Sequence, residues 1–320
     1  MARVFIDGFE SRSLDLWDTY TSGCTIETSN PIDGVAHLKL GWNSSASKNL
    51  PVALSEVWVA FRYKIDSNIS SNFFEFRNGS TVVGAIRLNS NVFQVVRGSS
   101  TVLATGTRTI PLNQPVLVEA RFKPADSGGV FQLNVDGVMD INFSGDTTDG
   151  PTTIDNVRLF TGGMWNLYFD NIVIDDAEFP GNTKIRALRP NGTGNSTQWT
   201  PSAGNNWDCV DEVPASDSDY VATNTLDAVD LYSASDLPAE AYSVKCVQVR
   251  ARAYKEGNAL NIQNLQLACR TYGTNYFSSN KVLTTSAKSY AHIWQANPNT
   301  AASWTVSEVN AMEIGVKAVA

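Results

Sequence analysis

The sequence predicts an all-β protein, two β-sandwich or jelly-roll domains in series with one short helix near the C-terminus. Three observations carry this. Apolar and polar residues alternate at period two over many short segments. Turn residues separate those segments. No stripe of helical period runs between them.

The strands follow in chain order. Residues 57–65 place Val57, Val59, Phe61, Tyr63 and Ile65 on one face, with Trp58, Ala60, Arg62 and Lys64 on the other, as a half-buried strand requires. The same alternation predicts strands over 73–76, 82–88, 92–97, 116–123 and 130–135. Arg77-Asn78-Gly79-Ser80 and residues 125–129 are turns between them. Val135-Asp136-Gly137-Val138 is a tight hairpin, because Asp-Gly accepts the two positive φ angles of a type I′ turn. A last strand over 166–175 meets Phe179-Pro180-Gly181, which ends the ladder. The first domain is therefore expected over 1–180 and the second over 181–320. Residues 1–180 carry 13 of the 24 basic and 20 of the 32 acidic side chains, a net charge of -7, which leaves -1 for the rest.

The second domain is expected to open at 184–188 and to continue through a long polar loop over 190–208, which at that length is functional or interface-forming. Strands are expected within 243–254, 262–271, 290–294 and 314–319. Between the last two, Thr305 and Glu308 stand at capping-box spacing and mark a helix within 304–312.

Composition narrows function. With 42% hydrophobic and 18% charged residues the chain is not a disordered one. A net charge of -8 argues against wholesale binding to a nucleic acid backbone. No secretory leader is visible, and no apolar run approaches the ~20 residues that span a bilayer. Cys24, Cys209, Cys246 and Cys269 lack zinc spacing and are expected as reduced thiols.

Catalytic material is sparse. Glycoside hydrolysis needs two facing carboxylates, yet the strand around Glu75 offers Arg77 at the matching position, and Glu56 and Glu119 stand alone. His37 and His292 have no nucleophile elbow beside them, and no phosphate loop is present. The expectation is a protein that is not an enzyme. Asp208, Asp211, Glu212, Asp217 and Asp219 do not follow an EF-hand spacing and read as a turn-forming or subunit-contact segment. Trp42, Trp165, Trp199 and Trp207 fall in predicted loops, where they serve as sugar platforms or interface anchors.

Two resemblances add to this. Phe5-Ile6-Asp7-Gly8-Phe9-Glu10, Leu16-Trp17 and the closing Tyr168-Phe169-Asp170-Asn171-Ile172-Val173-Ile174 resemble the concanavalin A-like lectin/glucanase superfamily in its laminin-G-like form. That implies a jelly roll whose first and last strands pair, and a structural calcium there, held by Asp7, Glu10 and Asp170. No cofactor is otherwise required. Residues 183–320 resemble a C-terminal module of tailed-bacteriophage virion proteins, through Ile185-Arg186-Ala187-Leu188-Arg189-Pro190-Asn191-Gly192, residues 206–214, Asp217-Ser218-Asp219-Tyr220-Val221, Asp230-Leu231-Tyr232 and residues 304–316. Together they imply a non-enzymatic structural protein on the virion surface, a capsid decoration or tail-associated adhesin made in the host cytoplasm. Its partners would be other virion proteins, its own copies and host surface glycans, with no nucleic acid and no membrane span. The alternative is a carbohydrate-active enzyme resembling a glycoside hydrolase, or a free soluble lectin.

Overall fold

The computed structural model describes residues 3–257 and 261–320. The chain divides into two compact units, Met1–Ile185 and Arg186–Ala320. Both are built from antiparallel strands, with a single short α-helix near the C-terminus among the described residues, as the periodicity predicts.

Unit 1 holds two large sheets. The first runs in spatial order β13 (Val138–Gly145), β12 (Gly129–Val135), β11 (Val116–Lys123), β6 (Val57–Ile65), β15 (Leu167–Asp175), β4 (His37–Leu40) and β3 (Cys24–Glu27), with β1 (Arg3–Asp7) also on β15. The second runs β10 (Thr101–Thr109), β9 (Val92–Arg97), β8 (Thr81–Asn89), β7 (Ser70–Asn78), β14 (Ile154–Phe160), β5 (Ser45–Leu54) and β2 (Thr19–Tyr20). The first and last strands do pair: Asp7 lies opposite Ile172 and Arg3 opposite Asp175, where the two side chains form a buried ion pair.

Alternation sends one face of each strand into a shared aromatic core. Phe61 of β6 stacks on Phe74 of β7 at 5.0 Å, and Tyr63 on Phe73 at 4.4 Å. Phe76 meets Phe122 of β11 at 5.0 Å. These rings are fully buried, and truncating one such ring costs about 3–5 kcal/mol. Gly84 on β8 faces the same layer, where an added Cβ would stand 2.5 Å from the Phe122 ring. The β12–β13 hairpin turns through Asp136 and Gly137 at φ 51° and 76°, the type I′ geometry that Asp-Gly predicts.

After β15 the chain stays on unit 1. The Gly181 amide donates to Glu119 Oε1 at 2.9 Å, Arg62 to Asn182 Oδ1 at 2.6 Å, and the Ile185 amide to Asn171 Oδ1 at 2.7 Å. The first of these bonds gives Glu119, buried on the outside of the first sheet, a partner.

In unit 2 a six-stranded sheet takes the order Pro190–Thr197, Val229–Ala234, Glu313–Val319, Asn264–Thr271 and Thr274–Phe277, with Lys281–Val282 also on Asn264–Thr271. Val247–Ala253 pairs with Lys288–Trp294. Two expectations differ. Residues 184–188 form no strand, whereas Pro190–Thr197, expected within a loop, is the edge strand of this sheet. Its Asn-Gly-Thr-Gly run lacks an apolar face, which hides the strand from periodicity. Gly194 is needed there, since a Cβ would come 2.4 Å from the Leu231 carbonyl oxygen. Helix α1 (Val306–Ala311) carries the predicted capping box: Thr305 Oγ1 accepts from the Glu308 amide at 3.2 Å, and Glu308 accepts from the Thr305 amide at 2.8 Å. Among the described residues no helix is long and apolar enough to cross a membrane.

Candidate functional site

The polar side of the second sheet gathers side chains able to engage a ligand. On β7, Phe74 and Phe76 point to the core, so Glu75 and Arg77 point outward. A bulge between Asn72 and Phe74 buries two successive phenylalanines and turns Asn72 to the outer side with Glu75. Register then fixes the neighbours. Arg158 of β14 lies opposite Glu75 and Asn156 opposite Arg77. A second row crosses four strands, Asn72 on β7, Arg87 on β8, Gln94 on β9 and Thr105 on β10.

The two rows are chemically distinct. Glu75, 5% exposed, has Arg158 Nη1 at 3.5 Å and Arg77 Nε at 3.9 Å from its Oε2. Arg158 also lies 4.5 Å above the ring of Phe160, its half-buried neighbour two places along β14. In the second row Arg87 Nε donates to Asn72 Oδ1 at 2.9 Å, Gln94 to Thr105 Oγ1 at 3.1 Å, and Asn72 Nδ2 to the Ser99 carbonyl at 3.0 Å. Planar guanidinium donors, amides that both donate and accept, and an aromatic face are the groups that hold hydroxylated rings. The positions on either side of Glu75 on this face, along and across the sheet, are Asn72, Arg77, Arg158 and Ala85. The facing carboxylate of a glycosidase pair is therefore not assembled around it.

The four tryptophans separate. Trp42 is 67% exposed on the β4–β5 loop, and Trp165 is half-buried on the β14–β15 loop. Those loops are joined: the Thr161 amide donates to the Ser44 carbonyl at 2.8 Å, and Thr161 Oγ1 to the Gly41 carbonyl at 2.7 Å. Both loops leave from the Ser45–Phe160 pair, the aromatic end of the Glu75 row. Trp199 and Trp207 belong to unit 2. Trp199 packs against that unit's core and donates to the Ala228 carbonyl at 3.1 Å, and Trp207 lies half-buried in a 3₁₀ turn over Trp207–Cys209.

The carboxylates expected to hold calcium are placed as follows. Asp7 accepts from the Phe9 amide at 2.8 Å and from Trp17 Nε1 at 3.0 Å, so it fastens the start of the chain to the Trp17 ring. Glu10 accepts from the Val35 amide at 3.1 Å. Asp170, fully buried, accepts from the amides of Asp33 and Asn171 at 2.9 and 2.7 Å. Among the described residues, no three His, Cys, Asp or Glu side chains converge as a metal-holding group. His37 is buried against Tyr168, and burial, with Lys64, holds its imidazole below its ordinary value. His292 packs edge-on to Trp294 at 4.4 Å.

Neither a family model nor a curated protein matches the chain. Similar solved structures include the endo-β-1,4-glucuronan lyase of the fungus Trichoderma reesei, 16% identical with a TM-score of 0.46, over 55% of this chain and 96% of the lyase. They also include the alginate lyase Aly36B, 14% identical with a TM-score of 0.35, over 49% and 85% of the two chains. A third is the carbohydrate-binding module CBM66 from Bacillus subtilis, 9% identical with a TM-score of 0.33, over 48% and 95%. The structural neighbours are thus carbohydrate-active and carbohydrate-binding modules. They bear in no way on a virion role. They do correct the expectation of a protein that is not an enzyme, because polysaccharide lyases stand among them. Scarce histidine and unpaired carboxylates weigh against particular chemistries, not against catalysis as such.

Proposed function

We propose that unit 1 recognises carbohydrate, with a glycan chain lying along the outer side of the second sheet. The observation that carries this is the alignment of Phe160, Arg158, Glu75 and Arg77 across β14 and β7, beside the Asn72–Arg87–Gln94–Thr105 row. A sugar ring stacks its C–H face on an aromatic ring while its hydroxyls bond to guanidinium and amide groups. Phe160 supplies the first of these contacts and the two polar rows supply the second. The exposed Trp42 and the half-buried Trp165 sit on the two loops that leave from the Phe160 end of this row.

The test is calorimetric titration of the full chain with a panel of soluble oligosaccharides and polysaccharides. Binding is expected, and Phe160→Ala is expected to weaken it by roughly tenfold through loss of the stacking face. Unchanged affinity in Phe160→Ala, with an intact melting curve, removes the assignment to this surface. Shortened glycan in the same mixtures makes the surface an active site as well as a binding one.

A further inference from the structure

We infer that the glycan engaged by this face is anionic, a uronic-acid polysaccharide whose carboxylate is seated between Arg77 and Arg158. This rests on the proposed carbohydrate recognition and goes further, because it fixes the charge of the ligand. The chain as a whole carries -8, yet Arg77, Arg87 and Arg158 share this surface with Glu75 alone among the residues of the two rows. The arginines are local, not a reflection of composition.

Neither member of the pair beside Glu75 is fully engaged. Guanidinium–carboxylate hydrogen bonds close to about 2.7–2.9 Å, whereas Arg158 and Arg77 stand 3.5 and 3.9 Å from the same Glu75 oxygen. Arg77 Nη2 donates to the Ser80 carbonyl at 2.5 Å, but its Nε is buried without a hydrogen-bond partner. Across the strand pair, Asn156 is 7% exposed. Its Nδ2 is spent on Asn49 at 2.8 Å, and its Oδ1 has no partner. A buried donor and a buried acceptor, opposite one another on adjacent strands, are costly unless a ligand completes them. A uronate's carboxylate oxygens accept from the two guanidiniums, which releases Arg77 from this unpaired position. Glu75 is then a counter-ion that holds the arginines in place and competes with the ligand for them.

The experiment titrates the full chain with glucuronate, galacturonate and mannuronate oligosaccharides, each beside its carboxyl-reduced neutral counterpart. The uronate member of at least one pair is expected to bind tenfold or more tightly than its neutral partner, and to weaken with added salt. Arg158→Ala is expected to lower that affinity about tenfold or more. Glu75→Gln keeps the side-chain shape, removes the competing charge and is expected to raise it. Lys123→Ala, at an exposed position on the first sheet, is expected to leave it unchanged. Equal binding of charged and neutral partners overturns the inference while leaving carbohydrate recognition standing, and so does a loss of affinity in a folded Glu75→Gln. Binding by no member of any pair, charged or neutral, overturns both.

Discussion

Asp170 shows what burial does to one side chain. It is fully enclosed and accepts two backbone amides. Burial, with Asp33 and Glu10 adding repulsion, pushes its carboxyl up to about 8. The folded state therefore binds this proton more tightly than the unfolded chain, where the group titrates near 3.8. Below that lower value both states are protonated and the contribution is fully present; it fades as pH rises and is lost above about 8. Melting temperature is expected to decline across this window in the wild type, and Asp170→Asn is expected to remove most of that decline. A wild-type curve parallel to that of Asp170→Asn across the window shows that the carboxyl is ionised in the fold. The proximity of Asp170 to Asp33 lay beyond sequence reading, since it joins residues from distant parts of the chain that no periodicity relates.

At the scale of elements, packing leaves little room between the sheets. Gly84→Ala would drive a methyl into the Phe122 ring, and overpacking of this kind costs roughly 1–3 kcal/mol. Urea denaturation is expected to show that loss, and Phe122→Leu combined with it is expected to recover part. A Gly84→Ala protein as stable as wild type means that the ring shifts freely. Elements with strict alternation were legible in the sequence: the strands at Val57–Ile65, Val92–Arg97 and Val116–Lys123, the Asp136-Gly137 turn and the capping box of α1 all appear where the residues predict them. Pro190–Thr197 was not, because its pairing is carried by backbone and small polar side chains. The candidate surface lay between these cases. Glu75 and Arg77 could be seen to share a side of one strand. Arg158 and Phe160 could not be joined to them, because only the register of β14 against β7 brings residues so distant in sequence into one row.

At the scale of the molecule, the two units keep separate cores. Residues 1–185 expressed alone are expected to fold and to melt cooperatively, with calorimetry of the full chain resolving two transitions. A single transition in the full chain, with an unfolded 1–185 fragment, overturns that independence. Most of the formal acidity lies in residues 1–180, so a uronate ligand would approach a negatively charged domain through a local positive surface. Affinity there should depend on arginine placement far more than on overall charge.

The pairing of β1 with β15 has a consequence for the ancestry and engineering of this chain. Arg3 lies opposite Asp175, so the entry and exit of unit 1 are neighbours in space. A domain with adjacent ends can be spliced into a surface loop of another protein, or have its ends joined and a new opening cut elsewhere, without unpicking either sheet. The first unit is in that sense a portable cassette, whose place in any larger protein is a matter of where two neighbouring strand ends are tied.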